Sequence, residues 1–115
     1  MPIDCTPQPV VALIRDLLFL SKVTATARAV QRKLMVVREP SELSGQGGGL
    51  LLVDLSLPQA IEAASGWKRQ HKAPVIGFAS HVDSETLERA RASGIDRVLT
   101  RGAFSAQLES LLKSG

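Results

Sequence analysis

Two hydrophobic periods alternate along this chain. Short, nearly continuous apolar runs stand at Val10 to Ile14, Leu34 to Val37, Leu50 to Val53, Pro74 to Phe78 and Arg97 to Thr100. Runs of that length suit strands covered on both faces, as in the middle of a parallel sheet. Between them the apolar positions recur every three or four residues: Leu20, Val23, Ala27 and Val30; Ile61, Ala64 and Trp67; Leu87 and Ala90; Leu108, Leu111 and Leu112. That spacing predicts helices starting near Leu17, over Gln59 to His71 despite Gly66, from a cap at Asp83 or Ser84 to a stop at Gly94, and from Ser105 onward. One connection is different. Between Arg38 and Gly49, Pro40, a cap at Ser41 and Gly45, Gly47, Gly48 and Gly49 leave room for one or two helical turns before a flexible glycine linker. Met1 to Pro9 carries three prolines and reads as an irregular lead-in to one domain over residues 10–115. Strict alternation of strand and helix forces parallel strands joined by right-handed crossovers. The fold class is therefore α/β, a doubly wound five-stranded parallel sheet with its second helix short or missing.

The stretch Gly49 to Pro58 organises the rest. Its apolar run stops at Asp54, where a strand emerges at the edge on which open α/β sheets gather their binding groups, and Pro58 ends the ladder. An Asp at that place also has a plainer use, since its side chain readily caps the following turn. Asp16, ahead of the first helix, suits an N-cap. His81 stands in the loop after the fourth strand, on the same edge as Asp54. Ser80, His81 and Asp83 or Asp54 superficially resemble a hydrolase triad, but no GxSxG elbow is present and adjacency in sequence is not triad geometry. Trp67 and His71 belong to the core and the rim of their helix.

Composition narrows the field. At 115 residues, 44% of them apolar, the chain suits one globular domain with a real core and no separate output domain. Aromatics are 3% with no Tyr, which argues against base stacking. The net charge is +3, yet the cations are scattered along the chain with no polybasic run, so nucleic acid is not the expected partner. Cys5 has no partner for a disulfide, which suits a cytoplasmic protein, and no apolar stretch reaches the ~18 residues a bilayer requires. The glycines before the third strand precede a strand rather than a helix, the reverse of a phosphate-binding loop.

Three segments resemble the receiver domains of two-component response regulators: Leu52-Val-Asp-Leu-Ser-Leu-Pro58, Pro74-Val-Ile-Gly-Phe-Ala-Ser80, and Ala92 to Phe104. The resemblance runs from Val10 to Leu112 and implies a flavodoxin-like sheet of order 2-1-3-4-5. It also implies that Asp54 stands at the phosphoacceptor position, where a family member takes a phosphoryl group with a divalent cation at the site. The mouth around it is then Arg15, Asp16, Ala79, Ser80, His81 and Arg101. Several of these depart from the family pattern. Arg15 replaces one acid of the metal-binding pair, Ala79 the switch hydroxyl, Val98 the switch aromatic, Arg101 the lysine and Gly102 the proline after it. Only Asp16 and Asp54 remain as metal candidates, and Mg²⁺ is expected only if the domain is phosphorylated.

The expectation is therefore a pseudo-receiver, in which Arg15 and Arg101 close on Asp54 and take the charge role of the cation. It is read as a stand-alone signalling module rather than an enzyme, with no cofactor. Its action would pass through an unidentified protein partner or a homodimer formed through residues 84–112, with Glu85, Arg89, Arg97 and Gln107 at the rim. The alternatives are a working receiver phosphorylated on Asp54, and a small flavodoxin-like enzyme or ligand binder.

Overall fold

Five strands and four helices alternate in the computed structural model, which describes residues 8–114. The strands are β1 (Val10–Leu13), β2 (Leu34–Val37), β3 (Leu50–Asp54), β4 (Val75–Ala79) and β5 (Arg97–Thr100). The helices are α1 (Leu17–Ala29), α2 (Ala60–His71), α3 (Ser84–Ala92) and α4 (Arg101–Ser114), and a 3-10 turn over Pro40–Gly45 stands where a second helix would be. Every pairing is parallel and the order is β2-β1-β3-β4-β5. Most of the irregular lead-in, with Cys5, lies outside the described residues.

Strand alternation divides the core between two faces. Val11, Leu13, Leu51 and Val53 point to the side of the 3-10 turn, α2 and α3, where Trp67 is buried. Val10, Ala12, Leu50 and Leu52 point to the side of α1 and α4. There Phe78 stacks on Phe104 with centroids 4.5 Å apart, and Phe19 of α1 leans on both at 4.9 and 5.7 Å. Such pairs contribute roughly 0.5–1.5 kcal/mol each beyond their burial.

Two boundaries differ from the sequence reading. α4 begins at Arg101 rather than Ser105, because the Thr100 hydroxyl accepts a bond from the Ala103 amide at 3.2 Å and starts the helix ahead of Gly102. The glycines before β3 are not slack. A Cβ on Gly48 would lie 2.7 Å from the Pro9 carbonyl oxygen, one on Gly49 2.7 Å from Gln8, and the Gly49 amide donates to Pro9 at 2.9 Å. Small residues are required there because two backbone segments pass in contact.

Asp96 ties three segments at the edge of the sheet opposite Asp54. It accepts from Lys68 Nζ at 2.8 and 2.9 Å and from the Val75 amide at 2.8 Å. Burial by itself would raise its carboxyl, but the bonds from Lys68 and Val75 outweigh burial and hold it below its ordinary value. A carboxyl lowered in the folded state contributes stability above its unfolded pKa and loses that contribution as pH falls through the folded value. Asp96→Asn is therefore expected to cost about 1 kcal/mol near neutral pH, since both partners are half exposed, and much less near pH ~3. Thermal melts across that range check it; an equal loss at both ends would refute the assignment.

Candidate functional site

The C-terminal edge of the sheet collects the ends of β1, β3, β4 and β5, and the local sequence decides which side chains meet there. Asp54 closes β3 and is only 4% exposed. Its Oδ1 accepts from the Ser56 amide at 3.0 Å and from Ser56 Oγ at 2.7 Å, an Asp-x-Ser turn that fixes the carboxylate plane. Asp16 caps α1, with Oδ1 accepting from the Leu18 and Phe19 amides at 3.0 and 3.2 Å. Each carboxylate thus has one oxygen committed to its own backbone and one turned toward the mouth.

Arg101 answers both free oxygens. Its Nη1 lies 3.3 Å from Asp16 Oδ2 and its Nη2 3.5 Å from Asp54 Oδ2. The guanidinium carbon also lies 5.1 Å from the centroid of Phe19 and 5.6 Å from that of Phe78, so the aromatic cluster forms a bed beneath the cation. As the first residue of α4, Arg101 opposes the helix dipole, which disfavours a cation at that end by about 0.3–1 kcal/mol. Two carboxylates and two rings offset that cost, so the position is set by the mouth rather than by the helix.

Arg15 does not join them, and here the sequence expectation is corrected. Its Nε donates to the Arg38 carbonyl at 2.8 Å and its Nη2 pairs with Glu39 at 2.6 Å, both just beyond the end of β2. β2 is the direct neighbour of β1, so a long side chain leaving β1 finds a carboxylate there before it turns back to Asp54. Ala79 is buried and Ser80 exposed; the Ser80 carbonyl and hydroxyl accept from the Asp83 and Val82 amides at 2.9 and 3.4 Å. His81 is exposed in that turn, and Asp83 caps α3 through the Thr86 amide. The cluster is therefore Asp16, Asp54 and Arg101, supported by Ser56, Phe19 and Phe78. These last three were not singled out from sequence, although the Asp-x-Ser pattern at 54–56 was a readable turn signal.

The donor set tests the divalent cation that the receiver resemblance would bring. Hard cations need carboxylate or carbonyl oxygens. With Arg101 seated, all four oxygens of Asp16 and Asp54 have protein donors, and the described residues hold no group of three or more His, Cys, Asp or Glu placed to share a metal. The arrangement does not fit Mg²⁺ in this state. No described helix is long and apolar enough to cross a membrane.

No protein-family model matches the chain, and no curated protein matches it. Solved structures do. The phosphorylated cyanobacterial phytochrome response regulator RcpA matches with a TM-score of 0.75 at 16% identity, over 94% of this chain and 90% of its own. A response regulator from Hahella chejuensis matches at 0.76 and 15%, over 92% of each chain. The receiver domain of a Pseudomonas aeruginosa sensor histidine kinase, with magnesium coordinated in its active-site cleft, matches at 0.76 and 16%, over 94% and 96%. The fold is that of response regulator receiver domains, and the strand order expected from the resemblance is the one observed.

Proposed function

We propose that this receiver-fold domain is a signalling and interaction module whose mouth is held in one state by Arg101, without phosphorylation. The observation that carries the reading is the single guanidinium across Asp16 Oδ2 and Asp54 Oδ2. A cation fixed to the chain neutralises the carboxylates where a mobile divalent ion would otherwise be needed. Phosphoryl transfer to Asp54 requires a free oxygen with room for in-line attack and a cation to gather the equatorial charge. Here Oδ1 is held by Ser56 and Oδ2 faces Arg101.

The test is to incubate the protein with acetyl phosphate and Mg²⁺ and weigh the intact chain. Unchanged mass is expected; a stoichiometric phosphoryl adduct that disappears in Asp54→Asn would overturn the proposal. One observation favours the second reading, a working phosphoacceptor. At 3.5 Å the Arg101 to Asp54 contact is longer than the ~2.7–2.9 Å of a strong charge-assisted bond, and the same adduct measurement separates the two.

The output is proposed to run through residues 84–112, to a protein partner or a second copy. Glu85 is exposed there, and Arg97 donates to Gln107 at 3.0 Å across β5 and α4. Arg89, also expected at the rim, pairs with Glu62 of α2 at 3.4 Å.

A further inference from the structure

The cations that look scattered in sequence are gathered by the fold. In a parallel sheet with crossover helices, every helix ends at the edge where the strands begin. Arg28 of α1, Lys33 ahead of β2, Arg69 and Lys72 at the end of α2, and Arg91 at the end of α3 all reach that one edge, and all are exposed. None of these five has a carboxylate partner among the described residues. Most of the acids lie at the other end, where Asp16, Glu39, Glu42, Asp54, Asp83 and Glu85 cluster near helix starts and strand ends. Asp96, which precedes β5 at this edge, is engaged by Lys68 and the Val75 amide.

Dipole complementarity explains about one cation at each helix end and no more. Lys72 shows the excess. It occupies the left-handed C-cap of α2 with φ 54°, a conformation that favours glycine, yet carries a charge instead. The edge is also grooved. A concavity of about 530 Å³ lies among Ser65, Lys68, Arg69, Lys72 and Ser93, and another of about 370 Å³ lies beside Arg28 and Lys33.

We propose that this basic edge binds the phosphate backbone of double-stranded nucleic acid without reading its sequence. The chemistry of the surface selects that partner. Trp67, Phe78 and Phe104 are buried, Phe19 is half-buried and the exposed His81 lies at the opposite edge, so no exposed ring among the described residues stands at the basic edge for stacking on single strands. Helix C-termini and strand starts face outward, so no element is presented to enter a groove and read bases. Among the described residues the large exposed apolar side chains Leu17, Leu18 and Val82 lie at the opposite edge and Val36 lies within β2, so the described part of the basic edge has neither the apolar centre of a protein interface nor the anchor of a membrane-surface segment.

The test is fluorescence anisotropy of a labelled random-sequence duplex against the full protein, from about 50 mM to 200 mM salt. Five phosphate contacts predict a log–log salt slope of about −4 to −5 and equal affinity for unrelated sequences. Lys72→Gly is expected to flatten the slope by about one without lowering the melting temperature, because glycine suits the left-handed cap. The triple variant Arg69→Glu, Lys72→Glu, Arg91→Glu should abolish binding, while Arg38→Glu at the opposite edge should leave affinity within about twofold. Three results would overturn the proposal: no binding at low salt, an effect of Arg38→Glu as large as that of Lys72→Gly, or tighter binding to phosphatidylserine vesicles than to duplex.

Discussion

Arg101→Ala is expected to turn a domain indifferent to Mg²⁺ into one that Mg²⁺ stabilises. Removing the guanidinium frees Oδ2 of Asp16 and Oδ2 of Asp54 together, leaving two carboxylates facing one space. Mg²⁺ is commonly held by one or two carboxylates with water completing the shell. Without metal the variant should lose about 1–2 kcal/mol, because Asp54 stays buried while its partner is gone; the contribution is modest since the Arg101 side chain is 39% exposed. With Mg²⁺ at about 100 times its Kd, linkage returns about 2.7 kcal/mol. Melts of both proteins with and without Mg²⁺ measure this directly. If the unmodified protein is stabilised by Mg²⁺ as much as the variant is, Arg101 does not hold the cation's place.

Phe78→Ala is expected to cost more, about 3–5 kcal/mol, the range for removing a fully buried aromatic. Phe78 stacks on Phe104 and leans on Phe19, so its loss opens a cavity between β4, α1 and α4. It also removes half of the bed beneath Arg101. Chemical denaturation gives the first quantity. Combining Phe78→Ala with Arg101→Ala gives the second, since residues sharing contacts should show a coupling above about 0.5 kcal/mol. Strictly additive effects would mean that the rings support the core and not the cation.

Much of the fold was legible because apolar period reports burial directly. β2 and β5 stand where the short apolar runs place them, and the three inward positions Leu108, Leu111 and Leu112 of α4 are buried. Gly102 hid the start of α4, since a glycine near a strand end reads as a break until the Thr100 cap is visible. The glycines before β3 read as slack because sequence does not show that Gln8 and Pro9 pass against them. At the mouth, Asp16, Asp54 and Arg101 come from three separate segments and meet in the fold, whereas the expected cluster joined Asp54 to Arg15 and Arg101. Arg15 failed for a reason of topology: the side chain nearest in sequence to Asp16 has β2 as its neighbour, and Glu39 at the end of β2 captures it. Charge polarity was the least legible property of all, because residues spaced evenly along a chain share an edge only once every crossover runs the same way.

The join between β5 and α4 has no connecting loop, for Thr100 ends one and Arg101 begins the other. The residue that bridges Asp16 and Asp54 is thus also the first residue of the C-terminal helix. Because Arg101 is the first residue of α4, a displacement of that helix would change the reach of the guanidinium to Asp16 and Asp54 together. On the proposed reading, a protein docked on α4 and an occupant of the mouth would therefore compete for the same side chain.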